Sequence, residues 1–147
     1  MKPCASEKLQ YYNLLSSEIE EAYHNASLRL GLSDSAMRIL YTLCSREDPC
    51  PLLEITRLTG TSRQTIHSAI KKLESQGILT LESPGGRRKL VRLTEEGREL
   101  AERTACRLIE IENEIFDSWT GEELEQYIRL TGRYLEQFRE RIGELGV

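Results

Sequence analysis

Between residues 62 and 72 the chain carries basic, hydroxyl and amide side chains at the spacing of a helix face. The segment reads SRQTIHSAIKK, and its candidate contact residues are Ser62, Arg63, Gln64, Thr65, Ser68, Lys71 and Lys72. Arginine can donate two hydrogen bonds to a guanine edge, and glutamine can pair in a similar way with adenine. The lysines lie further along the helix and suit phosphates. These residue types therefore indicate contacts to nucleic-acid bases and phosphates.

Helix and turn signals around this segment determine how its side chains would point. Ser62 is a favourable N-cap, and Gly77 would close the helix. The apolar, inward face of this helix consists of Ile66, Ala69, Ile70 and Leu73. A shorter helix from Leu52 to Thr59 precedes it, and Gly60 permits a sharp turn between the two. The pattern predicts a helix-turn-helix.

The short helix has its own start signal and packing residues. Pro51 suits the first helical position, because its missing N–H has no partner there. The candidate packing residues are Leu52, Ile55 and Leu58, with Leu53 as an additional contact. The preceding segment, Arg46 to Pro51, is predicted to be a loop because it is charged and holds two prolines.

A two-stranded ribbon is predicted directly after the helix-turn-helix. Its strands are Ile78 to Ser83 and Lys89 to Leu93, and Pro84, Gly85 and Gly86 supply the turn between them. The basic residues at its tip are Arg87, Arg88 and Lys89. A narrow minor groove concentrates negative potential and attracts arginine. The ribbon therefore has the character of a wing, and the whole segment predicts a winged helix-turn-helix that binds duplex DNA.

The charge of the chain is unevenly distributed. The formal net charge is −4, yet the stretch from Arg57 to Arg92 holds eight basic residues against two acids. Local field, rather than net charge, steers a polyanion toward a surface. A solvated charged face is the alternative interpretation of this cluster, and its position after a helix-turn-helix favours the DNA interpretation.

Two helices are predicted before the short helix. The first runs from Ser6 to Leu30 and ends at Gly31. Its apolar stripe consists of Tyr12, Leu15, Ile19, Ala22 and Ala26. The second runs from Ser33, a good N-cap, to Ser45 and is apolar almost all round, which predicts a buried helix.

Two long helices are predicted to follow the wing. Thr94 would cap the first, which runs from Glu95 to Ser118, and the second runs from Glu122 to Glu144. The second carries a heptad seam of Leu124, Ile128, Thr131, Leu135, Phe138, Ile142 and Leu145. A regular seam on a terminal helix indicates a partner helix, so we expect these helices to pair two copies of the chain.

Length and composition set the broad class. The 147 residues suit one domain with dimerisation arms, divided at 1–30, 31–94 and 95–147. The expected fold is mostly α with a small β-ribbon (α+β). No apolar run approaches the roughly 20 residues needed to span a bilayer, so no membrane association is expected. The start, MKPCASEKLQ, does not resemble a signal peptide, and the expected location is the cytoplasm.

The cysteines and histidines give no metal or catalytic signal. Cys4, Cys44, Cys50 and Cys106 include no CxxC pair and are expected to be free thiols. Cys44 and Cys106 lie on apolar stripes and are expected to be inert, whereas Cys50 lies in the predicted loop and could be exposed. Ser62 and His67 have no evident third catalytic partner. We therefore expect neither an enzyme, nor a metal site, nor a cofactor.

Two segments of the predicted helix-turn-helix and wing resemble the MarR (multiple antibiotic resistance regulator) family of bacterial transcription factors. They are LTGTSRQTIHSAIKKLESQGILT and GGRRKLVRLTEEGREL, and the resemblance in length and helix order covers nearly the full chain. It implies a winged helix homodimer whose N- and C-terminal helices intertwine. It also implies binding to a pseudo-palindromic operator, usually as a repressor, with recognition helices about 34 Å apart.

The resemblance assigns positions as well. Ser62, Arg63, Gln64, Thr65, Ser68 and Lys71 match the recognition helix of the family. Arg87 matches the wing arginine that reaches the minor groove. The family often has an aspartate two residues before this arginine, and here that position is Gly85, so the role of Arg87 is less firmly implied.

The resemblance further implies regulation by small aromatic ligands or by oxidants. By position, an effector pocket would involve Tyr12, Tyr23, His24, Met37 and Tyr41, although for any single one of them a core or interface role is the favoured interpretation. Cys4, near Tyr11 and Tyr12, is the candidate for a redox-sensing cysteine in an alternative regulator of the same fold. A second alternative is a winged protein-interaction module whose basic face meets an acidic partner protein.

Overall fold

The computed structural model describes residues 4–46, 48–86 and 88–146 and divides into two compact units, 1–109 and 110–147. The helices and strands are α1 (Glu7–Arg29), α2 (Asp34–Ser45), β1 (Cys50–Pro51), α3 (Leu52–Thr59), α4 (Arg63–Ser75), β2 (Leu79–Glu82), β3 (Leu90–Leu93), α5 (Glu95–Arg103), α6 (Ala105–Asp117) and α7 (Gly121–Gly143). The predicted class, mostly α with a small sheet, is confirmed. No helix within these ranges is long and apolar enough to cross a membrane.

Side-chain caps begin five of the helices. In each case a serine or threonine hydroxyl accepts a hydrogen bond from the backbone N–H three residues later; the caps are Ser6, Ser33, Ser62, Thr94 and Thr120. Such a cap stabilises a helix by about 1 kcal/mol. The predicted caps Ser33, Ser62 and Thr94 are confirmed. The placement of Pro51 inside α3 is wrong, because Pro51 pairs in a strand and the helix begins at Leu52.

The sheet has three antiparallel strands in the order β1-β3-β2. The prediction that residues 46 to 51 are all loop is wrong at its end, because Cys50 pairs with Val91 and Pro51 with Leu90. The backbone N–H of Leu52 then donates to the Lys89 carbonyl at 3.0 Å. Pro51 can occupy this strand because β1 is an edge, where a missing N–H leaves no ladder bond unmade. Strand β1 thus ties the start of α3 to the ribbon.

The core of residues 1–109 is centred on α2. Ile39 and Leu40 are fully buried and belong to the same apolar cluster as Ile55 of α3, which confirms α2 as a buried helix. The packing of α3 was predicted only in part. Leu53 is 60% exposed and Leu58 is 47% exposed, so neither anchors the short helix. A helix this short turns only one narrow stripe, here centred on Ile55, toward its neighbours.

The predicted single helix from Glu95 to Ser118 is wrong, because it is interrupted at Thr104. The backbone there has φ −126° and ψ −89°, which is not helical. The Thr104 hydroxyl donates to the Leu100 carbonyl at 2.6 Å, and this carbonyl lies four residues earlier. Threonine bonds of this kind bend helices. The apolar stripe continues through the break, so periodicity alone could not reveal it.

Helix α7 makes up most of the second unit. Thr120 and Glu123 form a reciprocal capping box at its start. Within unit 110–147, Trp119 makes edge contacts with Phe116 and Tyr127, at ring-centroid distances of 5.3 Å and 5.4 Å. No residue of α7 is buried. The predicted helix is therefore present, and its apolar seam faces outward.

Candidate nucleic-acid interface

The outer face of α4 is polar and exposed, as predicted. Ile66, Ile70 and Leu73 are buried and attach the helix to the core around α2. The side chains of Arg63, Gln64, Thr65, Ser68, Lys71 and Lys72 are exposed on the remaining surface. The helix is therefore held against the core, and its hydrogen-bond donors and positively charged side chains face the solvent.

The hydroxyls at the start of α4 hold the helix end in place. Ser62 Oγ accepts a hydrogen bond from the Thr65 N–H at 3.2 Å. It also lies 2.7 Å from Thr65 Oγ1. The two hydroxyls thus satisfy each other, while Gln64 and Ser68 lie one turn apart on the outward side. Ser62 is exposed but acts first as a cap.

Arg38 supports the turn between α3 and α4, a role that was not predicted from the sequence. Its guanidinium Nη1 donates to the Thr59 carbonyl at 2.9 Å and to Thr61 Oγ1 at 3.1 Å. Gly60, between these two partners, has the left-handed φ of 63° that the sharp turn requires. A single basic residue on the largely apolar α2 was the available signal. Arg38 therefore helps to set the direction in which α4 leaves the turn.

A groove of about 270 Å³ lies between the helix-turn-helix and the end of the wing that carries Arg88 and Lys89. Its lining residues are Pro51, Leu52, Leu53, Thr56, Arg63, His67, Arg88 and Lys89. Arg63 from α4 and two basic residues from the ribbon, predicted as separate contacts, thus share one concave surface. Cations converging on a groove produce a stronger local positive potential than the same charges spread apart.

The wing reverses direction through a 3₁₀ turn at Pro84–Gly86. Gly85 and Gly86 have φ of 70° and 73°, and the Gly86 N–H donates to the Ser83 carbonyl at 3.0 Å. Glycine occupies left-handed backbone without the steric cost that a Cβ brings. The turn therefore explains Gly85 on conformational grounds. Arg88 and Lys89 are exposed on the descending side, whereas Arg87, the predicted minor-groove residue, lies outside the described residues.

Not every basic residue of the ribbon is available to a polyanion. Arg92 Nε donates to Glu82 Oε1 at 2.7 Å across the β2–β3 pair. This hydrogen bond holds the pKa of Glu82 below its ordinary value and raises the pKa of Arg92. The pair is internally neutral, so the positive potential of the ribbon is concentrated toward Arg88 and Lys89.

The root of the wing is fastened to α5 by a close backbone approach. Thr94 Oγ1 donates to the Gly77 carbonyl at 2.6 Å, and the Thr94 N–H donates to the Ile78 carbonyl at 3.0 Å. A Cβ at Gly97 would collide with that Ile78 carbonyl. Glycine at this position permits the contact, which fixes the ribbon relative to α5.

The predicted effector residues have different environments. Met37 belongs to the closed core, and Tyr41 is partly buried against it. His24 Nδ1 lies 2.8 Å from Asp34 Oδ2 at the start of α2. Tyr12 and Tyr23 are exposed on α1. A shared role of these five residues in binding an effector stays a prediction.

Of the four cysteines, Cys50 departs from the expectation. Cys50 is 1% exposed rather than solvent-facing. Burial, followed by the nearby Glu54 carboxylate, raises its pKa to about 11. Cys4 is exposed ahead of α1, and its redox role stays a prediction. Cys44 and Cys106 lie in contact, each partly exposed. Within the described ranges, no group of three or more potential ligands could hold a metal ion.

The arrangement of α2, α3 and α4 followed by the β2–β3 hairpin defines a winged helix-turn-helix. Residues 30–89, which span α2, α3, α4 and β2, match the sequence model of the MarR family. This match agrees with the family resemblance seen in the sequence. No curated relative matches the sequence.

Solved structures of MarR family regulators share the fold over most of the chain. A MarR/EmrR family regulator from Acinetobacter sp. ADP1 is 19% identical, with a TM-score of 0.71 and coverage of 95% of this chain and 99% of that one. S. aureus MepR in complex with DNA is 18% identical, with a TM-score of 0.69 and coverage of 92% and 99%. PcaV from Streptomyces coelicolor, bound to its natural ligand, is 20% identical, with a TM-score of 0.64 and coverage of 91% and 98%. At these identities the likeness establishes the fold.

Proposed function

We propose that the protein is a transcriptional regulator that binds double-stranded DNA sequence-specifically. The observation that carries this proposal is the exposed polar face of α4, held by Ile66, Ile70 and Leu73 and continuous with a basic groove at the wing. An α-helix of this kind fits the major groove of B-DNA, with its N-terminal residues at base edges. The DNA complex of MepR, which has the same fold, supports this use of the surface.

The residues divide by task within this proposal. Arg63, Gln64 and Ser68 read bases, because they lie on the first two turns of α4. Lys71 and Lys72 lie further along and bind phosphates. Arg87, Arg88 and Lys89 of the wing act on the adjacent minor groove or its backbone.

A protein of this kind acts as a homodimer on a pseudo-palindromic operator and represses transcription by occupying it. The support for dimerisation is the apolar seam of α7, where Ile128 is 61% exposed. A second copy would cover this seam and supply the second reading helix. Two-fold symmetry of the protein then matches two-fold symmetry of the operator.

Selection of bound sequences from a random duplex pool, followed by titration at several salt concentrations, tests the proposal. Lys71→Ala should weaken binding to all duplexes and reduce the slope of log affinity against log salt by about 0.9. Gln64→Ala should change the preferred base at one position of each half-site, by about 1–3 kcal/mol. Lys8→Ala on α1, an exposed lysine away from α4, is the matched control.

The outcomes separate the candidate functions. Enrichment of a two-fold symmetric sequence supports the proposal. Binding to any polyanion without sequence enrichment would instead favour a protein-interaction module with an acidic partner. Equal losses of DNA affinity in Lys71→Ala and Lys8→Ala would show that α4 is not part of the DNA interface.

We further propose that a small aromatic effector releases the DNA. The ligand-bound PcaV structure shows that a protein of this fold binds a small molecule. The residues proposed to contact the effector are Tyr12, Tyr23, His24 and Tyr41, with Met37 on the core side of the site. Thermal shift measurements with a panel of aromatic acids, compared between the native protein and Tyr41→Phe, test this part separately.

A further inference from the structure

Two thiols from distant parts of the sequence meet on one side of the core. Cys44 lies next to the last residue of α2, and Cys106 is the second residue of α6. They are 62 residues apart in sequence, yet their Sγ atoms lie 2.8 Å apart. Both belong to the compact unit 1–109. The contact therefore joins two elements of the same packed body.

The surroundings hold this pair together while leaving it partly accessible. Leu43 and Ala105, the neighbours of the two cysteines in sequence, are buried in the core and fix the local backbone. Cys44 and Cys106 are themselves only partly buried, so a small reagent can reach them. A disulfide requires an Sγ–Sγ distance of about 2.05 Å, and the two sulfurs need only a small approach to reach it.

We propose that Cys44 and Cys106 are a covalent modification site, a reversible dithiol–disulfide couple that is oxidised by low-molecular-weight disulfides. This site is distinct from the exposed Cys4, the candidate for redox sensing that the family resemblance suggested. It reverses the expectation that Cys44 and Cys106 are inert.

The chemistry runs in two exchange steps. The Cys106 sulfur attacks one sulfur of a small disulfide RSSR, which forms a Cys106–SR mixed disulfide and releases one RSH carrying the proton of Cys106. The Cys44 sulfur then attacks Cys106 Sγ, which forms the Cys44–Cys106 bond and releases a second RSH with the proton of Cys44. The protein loses two electrons and two protons, and RSSR gains both.

The order of attack follows from the environment of Cys44. Burial, and then the hydrogen bond with Cys106, raise the pKa of Cys44 to about 12. Cys44 therefore keeps its proton near neutral pH, and we assign the first attack to Cys106. The reaction at Cys44 is the slower step, because a thiol must lose its proton before it attacks.

The other two cysteines serve as internal controls. Cys50 is buried, and its Sγ lies 3.8 Å from a Glu54 carboxylate oxygen. Cys4 is exposed ahead of α1. Oxidation at the proposed site therefore leaves Cys50 reduced and does not link one chain to another.

The test incubates the full chain with oxidised and reduced glutathione at a series of ratios, then alkylates the remaining thiols and maps peptides by mass spectrometry. The expected product is one peptide pair joined through Cys44 and Cys106, lost again on reduction. The chain should run as a monomer on a denaturing gel without reductant. The oxidised protein should also melt at a higher temperature than the reduced protein, because the link closes a long loop.

Variants identify the two steps. Cys44→Ser should stop at a stable mixed disulfide of Cys106 with glutathione, whereas Cys106→Ser should acquire neither adduct nor crosslink at residue 44. Cys4→Ser and Cys50→Ser should crosslink like the native chain. Circular dichroism tests whether each variant is folded. If a variant does not fold, the peptide mapping of the native chain still tests the proposal.

Two results would overturn the proposal. One is full alkylation of both Cys44 and Cys106 in folded protein at every glutathione ratio. The other is a crosslink that forms only between chains through Cys4, with the Cys44 and Cys106 thiols retained.

Discussion

Cys44 is the residue whose chemistry the fold changes most clearly. Its pKa rises from 9.0 to about 12, first through burial and then through Cys106. The thiolate fraction near pH 8 is then far lower than in the unfolded chain. Alkylation of Cys44 by iodoacetamide should accordingly be many times slower in reduced native protein than in denaturant, as peptide mapping at timed quenches can measure.

The pH dependence of this reaction has a defined sign. The folded state holds the Cys44 proton more tightly than the unfolded state. The contribution of this proton to the free energy of unfolding is therefore fully present below pH 9.0 and is lost as the pH rises toward 12. The alkylation rate should therefore still increase above pH 9.0. Cys106→Ala removes the hydrogen bond but leaves most of the burial, so it should restore only part of the rate. A rate already saturated at pH 9.0 would contradict the assigned environment.

Single residues were predictable from sequence where periodicity decides their side of a helix. Gln64 and Ser68 point outward because Ile66 and Ile70 must be buried. The role of Arg38 was not predictable, because its partners Thr59 and Thr61 lie 21 and 23 residues away. The same limit applies to Cys106, since only the folded chain brings it to Cys44.

At the scale of elements, the joint between the wing and α5 depends on one glycine. Gly97→Ala places a methyl group against the Ile78 carbonyl, and backbone on both sides leaves little room for adjustment. Overpacking of this kind destabilises a protein by about 1–3 kcal/mol. Urea denaturation should show a lower midpoint for Gly97→Ala than for the native chain.

Gly121 supplies the matched control for this substitution. A Cβ at Gly121, in the first turn of α7, meets no atom within 4 Å. Gly121→Ala should be neutral or should stabilise by up to about 1 kcal/mol, since alanine loses less backbone entropy in a helix. Equal effects of the two substitutions would show that backbone entropy, not the Ile78 contact, governs Gly97.

The turn between α3 and α4 gives a second prediction at this scale. Arg38→Lys keeps the positive charge but loses the planar fork that reaches Thr59 and Thr61 together. Hydrogen exchange of the turn amides should accelerate, while exchange in the buried centre of α2 should not. Unchanged protection at residues 59–62 would show that the turn keeps its conformation without the Arg38 hydrogen bonds.

Elements were predictable from sequence where strong local signals mark their ends. The N-cap residues Ser33, Ser62 and Thr94 correctly predicted where their helices begin. Strand β1 was missed because a two-residue strand has no periodicity of its own, and its pairing with Val91 is a long-range event. The break at Thr104 was missed because the competing hydrogen bond to Leu100 leaves the apolar pattern intact.

For the whole molecule, the decisive feature is the outward-facing seam of α7. Ile128 is 61% exposed in a single chain, and burial of apolar surface contributes about 25 cal/mol per Å². Under the proposed homodimer, Ile128→Glu should shift the protein toward monomer in analytical ultracentrifugation at micromolar concentration. Glu125→Gln, also exposed on α7, should leave the dimer intact.

An unchanged assembly state in Ile128→Glu would place any dimer contact elsewhere. The heptad pattern predicted the helix and its apolar seam, and both are present. The pattern could not specify which surface meets the seam, because hydrophobic burial has no direction. The overall fold class was predictable for a related reason: the order of helix, turn and ribbon signals admits few topologies.

The contact from Arg38 to the turn has a consequence for genetics. Arg38 lies on α2, outside the reading helix, yet it positions the segment from which that helix starts. Under the proposed repressor function, a selection for alleles that fail to silence a reporter should therefore recover changes at Arg38 alongside changes at Gln64 and Lys71. Such alleles would be classed as recognition mutants, although the altered side chain holds the turn and need not touch the operator.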